Sequence, residues 1–379
     1  MIRSASQTPA QEYTSKRRHL LQARVAALLG IPALFYGLGA ADVVSYVGMV
    51  LIDNLYLTVG LVWASLYVVV FVANLMLSAI QFLIDRRFEV SRGGLKQRLV
   101  DAAKGSGVGF LFGLALVETV FVAMHFPGDY TWLIAAAGAS LLYALLVFAM
   151  PVLLPLFYRM TPIRNDQLAA RLRTLALQTG VRVQQVYEWQ ISGRTRRANA
   201  LVAGMGQSRK IVLTDTMTQQ FSDDEVEAII AHELGHCAHN HLMKRALLRS
   251  VLFVPIFWAV QGLVSYRLVP GAERGWQNAA FVPVFWCMWL VLSLYGNLIM
   301  ARVTRKQERQ ADRFAFEHVA SVVPFISAMK KLTDLNLIAY DKSSEWKYTH
   351  PATPERIAAA EKFASERGQI AVSAEAVIA

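Results

Sequence analysis

The stretch Ser222–Asp223–Asp224–Glu225–Val226–Glu227–Ala228–Ile229–Ile230–Ala231–His232–Glu233–Leu234–Gly235–His236 reads as one helix with a visible start. Ser222 is the N-cap, and Glu225 three residues on completes a capping box. Asp223, Asp224 and Glu225 place negative charge where the helix dipole favours it. Val226, Ile229 and Ile230 form an apolar face at helical spacing.

His232 and His236 lie one turn apart on that helix and face the same way. Two imidazoles so placed can hold one zinc ion at about 2.0–2.1 Å each. Glu233 beside the first histidine completes H-E-x-x-H, in which the carboxylate is the general base. The bland alternative is two chance histidines on an amphipathic helix. Gly235 costs about 1 kcal/mol of helix propensity against alanine, which suits close packing of another element beside the metal. A catalytic zinc needs a third protein ligand and an open position. His239 is the nearest candidate, although a straight helix brings three such side chains to one ion only with difficulty. Position 242, where a second family of zinc peptidases has its third histidine, is Leu242. Further on, Glu308 and Asp312 again share a helical face. Glu308 is the better oxygen ligand, with Asp312 placed to orient a ligand histidine. Their alternative is a solvated charge cluster, since arginines surround them.

His232–Glu233–Leu234–Gly235–His236 with Asn240–His241, followed by Glu308–Arg309–Gln310–Ala311–Asp312, resembles the integral-membrane CaaX prenyl endopeptidases, which are zinc metallopeptidases. The resemblance runs from about residue 84 to 360. It also takes in Asp101, Pro155–Leu156–Phe157, Asn199–Ala200 with Gly204, Ile211–Val212–Leu213 with Asp215, and His350–Pro351 with Arg356. It implies one zinc per chain on His232, His236 and Glu308, Glu233 as general base and His350 as donor to the oxyanion. It further implies that Arg356 supports the site and that Asn199 contacts the substrate or a metal ligand. Arg197 stands where eukaryotic members usually have histidine, Glu89 replaces a glycine, and the chain is shorter before residue 60. A compact, alanine-rich chain of this kind looks bacterial. That favours peptide substrates beyond prenylated ones, membrane-embedded proteins included, and makes the heat-shock membrane metallopeptidases the second reading. A metal-dependent transporter or an inactive scaffold is the reading from another class. The former would hold its ligands near the membrane midplane.

Composition sets the class. Hydrophobic residues make up 55% of the chain and charged ones only 17%, unlike a soluble domain. Apolar segments near 24–41, 60–84, 106–126, 131–156, 249–268 and 280–302 predict six transmembrane helices, with 43–59 as a seventh on a second reading. The fold class is therefore a mainly α, polytopic membrane protein, with its spans around a chamber and a zincin-like α+β catalytic part. Residues 1–162 form the membrane domain, with a basic loop at 85–105. Residues 163–379 form the metallopeptidase domain with the last two spans. No apolar core with a cleavage site follows the polar residues 1–22, so no removable signal peptide is expected. The net charge of +11 collects at the N-terminus, at 85–104, at 163–246 and after 302. By the positive-inside rule these regions and both termini are cytoplasmic, at a bacterial inner membrane. Orientation thus accounts for the charge, and no nucleic-acid partner is implied. Cys237 and Cys287 make neither a disulfide framework nor a cysteine metal site.

In the soluble part, Asp166–Gln178 is an amphipathic helix ended at Gly180. Val181–Ile191 has strand character, and Asn199–Gly204 and Lys210–Thr214 are short strands joined through Gly206. Asn199–Gly204 is the candidate edge strand for main-chain pairing with a peptide; an ordinary hairpin is the alternative. Asn74 and Gln81 would line a water-filled chamber. Glu118, ionisable within a span, either marks function or sits near the interface.

Overall fold

The computed structural model describes residues 8–124, 126, 130–266, 278–339 and 350–367. The link His125–Asp129, apart from Phe126, lies outside them, as do residues 1–7 and the end of the polar C-terminal tail. In chain order the helices are α1 (Pro9–Gly37), α2 (Ala40–Ile52), α3 (Leu55–Arg87), α4 (Leu95–Ala123) and α5 (Thr131–Leu153). Strand β1 (Met160–Pro162), α6 (Asp166–Gln178), β2 (Gln185–Trp189), β3 (Ala200–Ala203), β4 (Lys210–Thr214), α7 (Asp215–Gln220) and α8 (Asp223–Ala238) follow. The chain continues through α9 (His241–Ser265), α10 (Val282–His318), α11 (Val323–Leu335) and α12 (Thr353–Glu366).

Six helices among the described residues are long and apolar enough to cross a membrane: α1, α3, α4, α5, α9 and α10. The segment read as a seventh crossing is α2. Its 13 residues rise only about 20 Å, short of a hydrocarbon layer of about 30 Å. The first span starts at Pro9 rather than near 24. Thr8 caps it: its hydroxyl accepts from the Gln11 N–H, and Gln11 Oε1 accepts from the Thr8 N–H. The polar first turns are fixed by tertiary contact. Tyr13 is buried, and its hydroxyl donates to Asp85 Oδ1 at 2.8 Å at the end of α3. The apolar run of the last span ends near 302, but its helix does not. With no proline or glycine after Gly296, α10 runs on to His318, so one rigid helix leaves the membrane and enters the catalytic part.

Small residues set the helix spacing in the bundle, as expected where lipid supplies no hydrophobic drive between helices. The ring edge of Trp63 on α3 packs against Gly113 of α4, where a Cβ would come within 2.2 Å of the indole. The Trp63 Nε1–H donates to the Phe110 carbonyl at 3.2 Å. Residues from α3, α4, α5, α9 and α10 share one apolar core.

The catalytic part has a second core, built by α6, α8, α11, α12 and the end of α10 against a four-stranded sheet. The sheet order is β1, β2, β4, β3. β2 and β4 are parallel and the other pairs antiparallel, which leaves β3 as a free edge. Gly180 and Gly206 take positive φ, as their expected turns require. The loop after α3 ties bundle to sheet: the Arg92 and Gly93 N–H groups donate to the Arg194 carbonyl, and Arg194 pairs with Asp101 at 3.0 Å.

Three cavities adjoin one another at this junction, with volumes of about 310, 770 and 480 Å³. Gln81 lines the second and Asn74 the third. Glu118 lines none of the three. It sits beside Gly60, near the start of α3 and the end of α4, at the end of the bundle away from the sheet. Replacing Gly113 with valine should cost about 1–3 kcal/mol by overpacking Trp63. The detergent-solubilised variant should therefore melt earlier than wild type. An unchanged melting temperature would contradict the α3–α4 spacing.

Candidate active site

The catalytic helix is capped as its sequence dictates. Ser222 Oγ accepts from the Glu225 N–H at 3.3 Å, and Glu225 Oε2 accepts from the Ser222 N–H at 2.8 Å. Glu225 also takes Lys331 Nζ at 2.7 Å and the Ser327 hydroxyl at 2.6 Å, fastening α8 to α11. At its other end α8 meets α10 almost backbone to backbone. A Cβ on Gly235 would stand 3.1 Å from Ala311 Cα and 3.1 Å from Phe314 Cβ. This contact sets the two helices close enough for residues one turn away on each to meet.

They meet at His232, His236 and Glu308, whose ligating atoms all lie within 4.8 Å of one another. His232 Nε2 is 3.5 Å from Glu308 Oε2, and His236 Nε2 is 3.3 Å from Glu308 Oε1. Tetrahedral ligands held at about 2.0–2.1 Å stand about 3.3 Å apart, close to both histidine–carboxylate separations, so the donor set is of a kind that suits a small divalent ion. His239, the other candidate for a third ligand, follows the last residue of α8. Its Nδ1 lies 2.9 Å from the Gly235 carbonyl, outside the cluster.

Each histidine is held from behind. His232 Nδ1 lies 2.8 Å from Asp312 Oδ1, which leaves Nε2 facing the cluster. Arg356 from α12 grips the same carboxylate, with Nε to Oδ2 at 2.8 Å and Nη2 to Oδ1 at 2.5 Å. Burial acts to push the His232 imidazolium down, but the hydrogen bonds to Asp312 and Glu308 outweigh it and carry the pKa up to about 9. Arg356 is likewise opposed by burial, yet Asp312 beside it raises its pKa. Behind His236 stands a residue that sequence reading gave no role. His241, wholly buried at the start of α9, places Nδ1 2.8 Å from His236 Nδ1 and Nε2 3.2 Å from Gln310 Oε1. If His236 binds metal through Nε2, its Nδ1–H donates to His241, whose Nε2–H then donates to Gln310. That tautomer assignment satisfies all three groups. The available signal was the Asn240–His241 pair: Asn240 takes φ of 51°, which turns the chain so that α9 starts on His241.

Glu233 is half-buried and lines the first cavity with His232, Glu308 and Asn199. Burial pushes its carboxyl pKa up, against the pull of His232 and His236. His350 reaches the same cavity, with Nδ1 2.8 Å from Glu308 Oε2 and its ring largely exposed. Asn199 is exposed at the start of β3, its N–H donating to Thr214 Oγ1 and its Oδ1 accepting from the Ala200 N–H. The structure thus brings His232, Glu233, His236, Glu308, Asp312, Asn199, His350 and Arg356 to one place.

The family model described as peptidase family M48 matches residues 162–364. The chain belongs to peptidase family M48. A second model, described as CAAX prenyl protease N-terminal, five membrane helices, matches residues 6–159, the region of α1 to α5. "CAAX prenyl protease 1" of Saccharomyces cerevisiae is 24% identical over 314 residues, covering 76% of this chain and 68% of that protein. "Uncharacterized metalloprotease YhfN" of Bacillus subtilis is 27% identical over 241 residues; the match covers 62% of this chain and 56% of the relative's length. The crystal structure of S. mikatae Ste24p superposes with a TM-score of 0.79 at 20% identity, covering 93% of this chain and 88% of that one, and so shares the fold. By family the chain is a multi-pass membrane metalloendopeptidase, and the heat-shock-type, transporter and scaffold readings are not favoured.

Residues that support a metal ligand from behind typically contribute tenfold to a hundredfold in affinity. His241→Ala should weaken divalent-metal binding by about that factor, measured by chelator competition on the folded protein. An unchanged affinity would remove His241 from the site.

Proposed function

We propose that this protein is a zinc endopeptidase of the CaaX-protease type, working at the cytoplasmic side of a plasma membrane. The carrying observation is the buried His232–His236–Glu308 donor set with Glu233 beside it, at the head of a polar cavity series. Two imidazoles and one carboxylate at tetrahedral spacing are a zinc donor set with a position left open. Bound there, zinc would act as a Lewis acid and acidify a water.

The chain's own residues supply the rest. Glu233 accepts the proton of the attacking water and returns it to the leaving amine, a task favoured by a carboxyl whose pKa is raised. His350 stands on the open side of Glu308, and its exposed ring is free to turn an N–H toward the oxyanion. Asp312, clamped by Arg356, keeps His232 in one tautomer. β3 presents unpaired main-chain groups beside the cleft, so an extended peptide can add to that edge. The basic segments all lie at the sheet end of the bundle, which the positive-inside rule puts in the cytoplasm together with both termini. A prenyl chain on the substrate is compatible with the cavities. The Arg197 substitution and the compact bacterial character favour a wider range of peptides.

Glu233→Gln should keep zinc and lose about 10²–10⁴-fold in turnover, whereas Glu308→Ala should lose the metal. Zinc content and hydrolysis are read on the same samples; retained turnover in Glu233→Gln would sink the mechanism. A farnesylated CaaX peptide should be cut in a chelator-sensitive way. Equal cutting of its unprenylated twin would mark a broad peptidase, and no cutting of either by the zinc-loaded protein would overturn the reading.

A further inference from the structure

The walls of the second and third cavities carry Arg17, Arg24, Arg98, Arg194 and Arg197 against only two carboxylates, Asp85 and Asp101. Both carboxylates are occupied. Asp101 pairs with Arg194 at 3.0 Å, and Asp85 accepts from the Tyr13 hydroxyl at 2.8 Å. Among the described residues Arg17, Arg24, Arg98 and Arg197 form no ion pair. Arg17 lies over the Tyr13 ring at 5.7 Å, and Arg197 hydrogen-bonds to the Tyr13 hydroxyl.

Arg24 is the most telling. It stands midway along α1, where the apolar run of the first span begins, on the face turned toward α3. Its Nη2 reaches only neutral partners, Gln81 Oε1 at 2.9 Å and Ser78 Oγ at 3.4 Å. Its Nε is buried with no partner. Arg98, on the same cavity wall, acts on it as a like charge. A cation within a span is costly, and such residues face interior cavities where they meet a partner or a substrate. Two of them on one wall repel each other at reduced dielectric, and an anion between them reverses the sign of that energy.

We propose that Arg24 and Arg98 form a subsite for the free α-carboxylate at the C-terminus of a peptide whose scissile bond lies at the His232–His236–Glu308 cluster. This rests on the peptidase reading and names the end of the substrate that the enzyme recognises. The cavities are continuous: Asn199 and His350 wall both the first and the second, and Arg98, Asp101 and Tyr158 wall both the second and the third. Direction follows from the free edge. β3 runs from Ala200 to Ala203. A strand added antiparallel to it, as β4 already is on its other side, carries its C-terminus back past Asn199 and Arg197 into the second cavity. A chain entering carboxylate-first meets a wall of unpaired guanidinium groups, whose donors match a carboxylate in fork geometry.

The test uses full-length, zinc-loaded Glu233→Gln protein in detergent, which binds without cutting. The probes are the farnesylated CaaX peptide with a free carboxylate and the same peptide as its C-terminal amide. The acid should bind about tenfold to a hundredfold more tightly than the amide, the range of a hydrogen bond to a charged group. Adding Arg98→Gln should bring that ratio toward one, and Arg98→Lys should restore part of it. Arg98 comes first because among the described residues its side chain makes no hydrogen bond whose loss would disturb folding; Arg24→Gln should act in the same direction. Equal binding of acid and amide, or a ratio unmoved in both variants, overturns the proposal. So does Arg98-dependent binding of phosphatidylglycerol micelles without an acid preference, which would make the subsite a lipid headgroup site. Failure of the peptidase reading looks different: wild type would cut neither peptide while the acid preference in binding persisted.

Discussion

The site depends on one close approach, that of Gly235 on α8 to Ala311 on α10. Gly235 has no side chain and Ala311 only a methyl, so the α8 backbone comes up against the α10 backbone, with the Phe314 side chain lying beside the glycine. One turn before Gly235, and one residue after it, stand the two histidines; one turn before Ala311 stands Glu308. The candidate metal site is therefore assembled from two rigid helices rather than from loops. The glycine sacrifices helix propensity, and the shared apolar core under α8 offsets that cost. Because α10 is continuous from the membrane to His318, the position of the acidic ligand is tied to the packing of a transmembrane helix.

Burying Glu308 and Asp312 between those helices would be prohibitive if they stood alone. Asp312 is made tolerable by three donors, one from His232 and two from Arg356. Glu308 is surrounded by His232, His236 and His350. The two carboxylates thereby divide the labour. Asp312 is spent on α12 and on the back of His232, whereas Glu308 keeps its charge toward the cleft. The His236–His241–Gln310 chain does for the second histidine, with neutral groups, what Asp312 does for the first. The two ligand histidines are thus held from opposite sides of the cluster, one by α12 and one by α9.

What could be read from the sequence was local. The capped helix from Ser222, the amphipathic helix at Asp166–Gln178, the strand at Lys210–Thr214 and the span count all follow from periodicity, capping and composition within a short window. The misplaced boundaries were set from afar. Residues 9–23 are too polar to read as part of a span, yet they are helical because Tyr13 is anchored on Asp85. The apolar run of the last span ends near 302 because hydropathy falls there, while the helix itself runs on to His318 with no proline or glycine to break it. His350 and Arg356 carried no local signal and came only through resemblance, while His241 was visible as a residue and not as a partner of His236. For the Glu308–Asp312 pair the sequence alone leaves solvated charge open beside the ligand role, and the fold buries both carboxylates.

Polar residues in the bundle are sorted by depth and direction. Asn74, Ser78, Gln81 and Arg24 all open on the cavities that lead to the metal cluster. Glu118 is at the far end of the bundle, where the interface can solvate it. Such asymmetry would serve no purpose in a bundle that only anchored a soluble enzyme, since apolar contacts would hold the helices as well. The cost of polar groups within the spans is accepted on the side that communicates with Asn199 and His350. On the proposed reading the membrane domain is thereby part of the substrate path, and the edge strand β3 is the place where that path meets α8.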